Sequence, residues 1–259
     1  MRAILMGKHK RSAVGALDHL VASGCEVAAV VCGEPGDAAP AQRIDEAASR
    51  HGLRLVGEDE LLSEVADGRM REVDLVLSFL YPRRILAPLI DLGTCLNFHP
   101  APLPDFRGLG GINVAIAEGR SEWGVSAHFV DMDFDTGDLV RVERFPIDPD
   151  RATALSLDLE SQERLLALFR DVVGMALRGE PLPREPQGEG RYVTREEFEA
   201  LRRVRPDDTP EQLARRIRAF WYPPYDGATL DVAGRTVTLV DRAILQEAAA
   251  RYRAAGILP

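Results

Sequence analysis

Three side chains carry the chemistry that this sequence can offer: an amide, an imidazole and a carboxylate, at Asn97, His99 and Asp135. They lie in two short segments, CLNFHPAPLPDFRG beginning at Cys95 and HFVDMDFDTGDLV beginning at His128. Asn97 and His99 are two residues apart on what reads as a strand leading into a proline-rich loop. Both side chains then leave the same face of a sheet and can work on one bond. An amide there can donate a hydrogen bond to an oxygen on which negative charge develops. An imidazole, with an ordinary pKa of about 6.5, can take a proton near neutral pH. A carboxylate can orient that imidazole or favour its protonated form. Asp135 follows an alternating run, Val125 to Asp131, and falls in a loop at a strand end, where a rigid sheet can hold a catalytic group. Each residue also has a structural alternative: Asn97 as a loop cap, His99 as a satisfied half-buried histidine, Asp135 as a turn residue before Gly137. His128 lies on the Ser126, His128, Val130 face of its strand, and its type and place fit lining the site and packing equally.

The elements that must position these groups alternate in type. Strands are expected near Ala3 to Met6, Glu26 to Cys32, Arg54 to Val56, Asp74 to Phe79 and Cys95 to Phe98, with helices near Ala13 to Ala22, Ala41 to Arg50 and Pro82 to Leu89. Such alternation predicts an α/β fold, a Rossmann-like, doubly wound, mostly parallel sheet. In sheets of this kind ligands bind beyond the carboxyl ends of strands, where this reading puts both His99 and the loop before Asp135. The turn after the first strand, Gly7-Lys8-His9-Lys10, has one glycine only and lacks the spacing that seats a dinucleotide pyrophosphate. A long amphipathic helix from Thr153 to Leu177 should close this domain.

Pro, Gly and charge then replace periodic apolar residues at PLPREPQGEGRY, which divides the chain into an N-terminal domain, 1–185, and a small C-terminal α+β module, 186–259. In the module, Thr209-Pro210-Glu211-Gln212 has the form of a helix start, with a helix to about Phe220. ATLDVAGRTVTLV from Ala228 reads as a β-hairpin turning at Ala233-Gly234, and the last residues as another helix.

Composition narrows the function classes. The 259 residues are 46% hydrophobic, enough to fill a core, and carry a formal net charge of −9. That charge argues against a nucleic-acid partner, whose affinity comes from clustered Lys and Arg. The one basic stretch, RRIRAF from Arg215, reads as a solvated helix face in preference to a phosphate site. No apolar run approaches the roughly 20 residues that span a bilayer, and the start is too short in apolar residues for a secretory signal. No membrane association is expected, and the default location is the cytoplasm. Cys25, Cys32 and Cys95 are odd in number and lack the spacing of a zinc site, so neither a metal nor a disulfide framework is expected.

The motif as a whole is more specific than its parts: Asn97-Phe98-His99-Pro100, a Leu103-Pro104 loop with Arg107 and Gly108, then Asp135-Thr136-Gly137. It resembles the family of formyltransferases that use 10-formyltetrahydrofolate, and the resemblance runs from about Met1 to Gly190. It implies a catalytic triad of Asn97, His99 and Asp135, with His99 also able to help hold the oxyanion once protonated. It implies a folate pocket built by Phe79, Leu80, Tyr81 and Ile85 with Asp131, Met132, Asp133 and Phe134. Much of that pocket uses backbone atoms, and core packing is the alternative for Phe79 and Leu80.

The loop PAPLPDFRGLGGINVAI resembles the version found in sugar N-formyltransferases. The resemblance implies acceptor contacts from Pro102, Arg107, Gly110, Gly111 and Asn113, with Trp221 and Tyr222 of WYPPY offering a ring to a base. An apolar interface is the alternative for WYPPY. Transfer of a formyl group from 10-formyltetrahydrofolate to a nucleotide-linked amino sugar is the expected activity, without a metal, in what the resemblance implies is a homodimer. Formylation of another small amine, such as a hydroxylated ornithine, hydrolysis of the formyl donor, and non-catalytic folate or nucleotide binding stay open beside it. Transfer RNA is disfavoured by the acidic chain and by the small size of the module.

Overall fold

The computed structural model describes residues 1–254 and 256. In chain order the elements are β1 (Arg2–Gly7), α1 (Arg11–Ala22), β2 (Glu26–Cys32), α2 (Ile44–Arg50), α3 (Glu58–Ala66), β3 (Leu75–Phe79), α4 (Ala87–Ile90), β4 (Thr94–His99) and β5 (Arg107–Gly108). There follow α5 (Gly111–Ala117), β6 (Glu122–Phe129), β7 (Leu139–Pro146), α6 (Ala154–Leu177), β8 (Tyr192–Val193), α7 (Arg195–Arg202), α8 (Pro210–Ala219), β9 (Ala228–Val232), β10 (Arg235–Leu239) and α9 (Arg242–Ala254). Packing groups them differently from a single cut after residue 185. One unit holds Met1–Arg107, Gly124–Arg144 and Ser161–Arg191; the other holds Gly108–Trp123, Phe145–Glu160 and Tyr192–Pro259.

The first unit is built on a six-stranded sheet in the order β2-β1-β3-β4-β6-β7. β1 pairs in parallel with β2 and β3, and β3 with β4. β4 and β6 are antiparallel, so the expected α/β, mostly parallel sheet carries a reversed edge. Strands buried on both faces need apolar side chains on both, and β3 (LVLSF) is buried along its whole length. On one face Phe79 and Phe98 meet Phe169 of α6, with ring centroids 5.5 and 4.7 Å from it. On the other, Ile4, Met6, Val31, Val76 and Cys95 form a cluster with Leu61 and Leu89.

Several expected elements are corrected. Arg54 to Val56 is not a strand of the sheet; it meets β2 only through a parallel bridge between Val30 and Leu55. Its leading residue is held instead by carboxylates of α3, with Arg54 2.9 Å from Glu60 and 2.6 Å from Glu64. The helix expected over Pro82 to Leu89 shrinks to α4, which begins at Ala87 and carries Pro88 in its first turn, where a missing N–H costs nothing. The segment before it is a loop fixed from the side, Tyr81 and Arg83 both reaching Glu58. The helix expected from Ala41 starts at Ile44, after a single 3₁₀ turn at Pro40–Gln42. α3 has no counterpart among the expected elements, although its three acidic residues in the first turn suit a helix N-terminus.

In the second unit, α8 starts as expected, with Thr209 and Gln212 forming a reciprocal capping box. β9 and β10 form the expected hairpin, with Val232 opposite Arg235 and both Ala233 and Gly234 at positive φ. The basic stretch on α8 is not a solvated face. Arg216 is buried against Asp208 at 2.8 Å, while Arg215 and Arg218 reach Asp150 at 2.8 and 3.4 Å. Among the described residues no helix is long and apolar enough to cross a membrane.

Candidate active site

The face of the first unit's sheet that is apolar at Val76 and Cys95 turns polar two residues further on. Ser78 of β3 stands opposite Asn97 of β4, and Asn97 opposite His128 of β6. Strand pairing thus lines three polar side chains across three strands, and each bonds to the next. The Ser78 hydroxyl donates to Asn97 Oδ1 at 2.7 Å, and Asn97 Nδ2 donates to His128 Nε2 at 3.0 Å. His128 Nδ1 lies 2.7 Å from the Phe129 carbonyl, which can only accept, so Nδ1 carries the proton and Nε2 accepts from the amide. The row fixes which way Asn97 points: its oxygen toward Ser78 and its N–H groups toward the Asp135 carboxylate and His128. Buried polar groups that satisfy one another in this way make a rigid support.

His99 is two residues beyond Asn97 and opposite Ser126. Its Nε2 is 3.2 Å from the Phe106 carbonyl, which assigns the proton there and leaves the Nδ1 lone pair facing Asp135 Oδ1 at 3.5 Å. Burial lowers the His99 pKa below its ordinary value; His128 adds to that, while the Asp135 carboxylate and the Phe106 carbonyl oppose it. His99 is thereby kept neutral, a base at physiological pH, with partners ready for the charge once a proton arrives. Asp135 Oδ1 also accepts from Asn97 Nδ2 at 3.3 Å and lies 3.7 Å from His128 Nε2. A single carboxylate oxygen therefore faces the amide and both imidazoles.

The reversal of β6 changes how Asp135 arrives. The carboxyl end of β6, Phe129, lies opposite Leu96, not beside His99, so the two groups do not come from the same edge of the sheet as expected. The loop after β6 folds back along the polar face instead. It does so through Asp135 itself, at φ 57°, in the left-handed region that few residues other than Gly occupy. Gly137 completes the turn: a Cβ there would stand 2.0 Å from the Phe129 carbonyl oxygen.

The other expected contacts divide. Phe79 is wholly buried in the aromatic cluster and Ile85 is buried, so neither offers an open side-chain face. Leu80 takes φ 58°, and Tyr81 is tied to Glu58 at 3.0 Å. Asp131, Met132, Asp133 and Phe134 are exposed, and Asp131 Oδ1 accepts from the Asp133 N–H and the Thr136 hydroxyl. Arg84 joins the two segments, 3.1 Å from Asp133 and over the Phe134 ring at 5.4 Å. Met132 and Phe134 are exposed apolar side chains on this loop. The acceptor set is split between the units. Pro102 is buried and Arg107 bonds Gln187 and the Gly188 carbonyl, within the first. Gly110, at φ 71°, and Gly111 open α5, Asn113 donates to the Ala219 carbonyl, and Tyr222 donates to Asp158 at 2.7 Å, within the second. Trp221, also in the second, accepts from the Leu155 N–H through its carbonyl.

Ser78, the Phe106 carbonyl and Gln187 belong to the site's framework and carry no sequence signal of their own. Among the described residues no group of three or more His, Cys, Asp or Glu side chains is placed to hold a metal.

Residues 16–168 match the formyl transferase family. The GDP-perosamine N-formyltransferase of Brucella melitensis is 31% identical over 165 residues, which is 62% of this chain and 62% of that one. The chain thus spans about three-fifths of the length of that relative. The methionyl-tRNA formyltransferase of Delftia acidovorans is 31% identical over 258 residues, covering 92% of this chain and 76% of that protein. Among solved structures, an N-formyltransferase from Helicobacter canadensis in complex with folinic acid and dTDP-3-aminofucose superposes with a TM-score of 0.74 at 17% identity, over 90% of this chain and 85% of that one.

Proposed function

Because this chain belongs to the formyl transferase family, we propose that it moves a formyl group from 10-formyltetrahydrofolate to the primary amine of a nucleotide-linked amino sugar. The observation that carries the reading is the hydrogen-bonded row Ser78, Asn97 and His128 with Asp135 and the neutral His99 set against it. The folate supplies the formyl carbon, and the exposed Met132 and Phe134 with the Leu80 backbone are the groups we assign to it.

The bond made joins the amine nitrogen to the formyl carbon, and the bond broken joins that carbon to folate N10. Negative charge develops on the formyl oxygen as the amine adds. Asn97 Nδ2 can meet it by exchanging its longer bond, the one to Asp135, for one to that oxygen. His99 Nδ1 takes the proton shed by the amine, and the imidazolium so formed lies between Asp135 and the Phe106 carbonyl. The same proton can then pass to N10 as it leaves. Asp135 stabilises the charged imidazole, and His128 holds the amide.

The acceptor class is supported by the Brucella relative and by the amino sugar nucleotide in the Helicobacter complex. A net charge of −9 fits a small acceptor better than a polyanion. Likeness to methionyl-tRNA formyltransferase over 92% of the chain makes that tRNA the second reading. A homodimer belongs to the same reading, supported by the exposed Val232 and Val237 of the hairpin. The test is tetrahydrofolate release that depends on the acceptor. It should appear with an amino sugar nucleotide and fall by roughly a hundredfold to a thousandfold in Asn97→Ala, the usual loss when an oxyanion donor is removed. His99→Ala should be as inactive, and both variants should keep the wild-type melting temperature within a few degrees. Full activity in either would remove the assignment.

A further inference from the structure

The stretch that reads as a linker, Arg184 to Arg191, is bonded along its length to the two loops that complete the active site. Glu185 and Leu139 exchange both backbone hydrogen bonds, at 2.7 and 3.0 Å. Arg184 reaches Asp138 at 2.8 Å and lies over the Phe129 ring at 4.2 Å. At the other end the Arg107 N–H donates to the Arg191 carbonyl at 2.8 Å. A Cβ on Gly190 would stand 2.0 Å from the Pro104 carbonyl oxygen, so the chain passes against that loop backbone to backbone.

Gln187 sits in the middle of this strap with its carboxamide fully used. Nε2 donates to the carbonyls of Asp135 and Gly137, at 3.1 and 2.6 Å. Oε1 accepts from Nε and Nη2 of Arg107, at 3.3 and 3.0 Å. The amide orientation follows from these partners, since two carbonyls can only accept and a guanidinium can only donate. Asp135 is the residue of that turn in the left-handed region, a conformation that a non-glycine residue holds only where its surroundings impose it.

We propose that Gln187 is a positioning residue for the catalytic carboxylate: it clamps the backbone turn at Asp135 and Gly137 and is itself oriented by Arg107. The inference rests on the catalytic reading of Asp135 given above, and places in the mechanism two residues that touch none of the reacting atoms. Substitution of Gln187 by Glu separates the clamp from mere occupancy of the space. A carboxylate still accepts from Arg107 but offers no N–H to either carbonyl.

The experiment follows the His99 imidazole by NMR titration in the intact protein, beside steady-state kinetics. The charged and titratable groups acting on His99 are Asp135, from the loop after β6, and His128, from β6; the 100–106 loop contributes the Phe106 carbonyl. Displacing Asp135 removes an opposite charge, so the His99 titration should move to lower pH in both Gln187→Ala and Gln187→Glu. In both, kcat should fall roughly tenfold to a hundredfold with KM for donor and acceptor unchanged. In an Asp135→Asn background, Gln187→Ala should produce no further shift. A wild-type titration in both variants, or an equal shift in the Asp135→Asn background, overturns the proposal. The titration does not depend on the reaction, so its outcome stands even if no formyl transfer is found.

Discussion

His99 takes its chemical character from three neighbours and its burial. The Nε2–H bond to the Phe106 carbonyl leaves Nδ1 as the accepting atom, and burial lowers the pKa of the ring below its ordinary value. With His99 as the base in the proposed reaction, its neutral form is the active one, so kcat/KM should rise with pH through an inflection below 6.5 and be level at neutral pH. Asp135→Asn removes the neighbour that raises the pKa, so the inflection should move lower still while kcat drops. An inflection above 6.5 would mean that another group is the base. That Asn97, His99 and Asp135 meet was legible from the order and spacing of their two segments, not from any residue alone, since Asp135 stands among Asp131, Asp133 and Asp138. Ser78 was not, being one hydroxyl in the apolar run LVLSF. Its role comes from a cross-strand register that no local spacing records.

At the scale of elements, the site depends on a polar end to an otherwise apolar sheet face and on a loop folded back over it. The fold back includes a close backbone approach at Gly137. A methyl group there has 2.0 Å to the Phe129 carbonyl oxygen, which is backbone and cannot swing aside. Gly137→Ala should therefore displace Asp135, lowering kcat far more than it lowers the melting temperature, because the aromatic core under Phe169 is untouched. Equal activity would show that the turn is not what aims the carboxylate. The main strands and α6 were legible from periodicity, since burial on one or two faces leaves a pattern in the sequence. The strap was not. A segment held by backbone bonds and one carboxamide has no period, and its Pro and Gly residues read as a linker, although Gly190 is what lets it pass against Pro104 backbone to backbone.

Taken as a whole, the chain forms two compact units that interleave in sequence, an arrangement that composition and local pattern do not encode because only long-range packing defines it. The basic stretch on α8 makes the same point: Arg215, Arg216 and Arg218 spend their charge on Asp150 and Asp208. That pairing, with a net charge of −9, leaves α8 poorly suited to hold a phosphate chain and favours a small acceptor. Transfer to an amino sugar is tested most directly by mass spectrometry of the protein incubated with 10-formyltetrahydrofolate and a panel of nucleotide-linked amino sugars, with methionyl-tRNA, small amino acids and a no-acceptor control alongside. The expected result is the gain of one formyl group on the amine of a sugar nucleotide, absent with His99→Ala. A formyl group found only on methionyl-tRNA or an amino acid, or formate released without any acceptor, would contradict it.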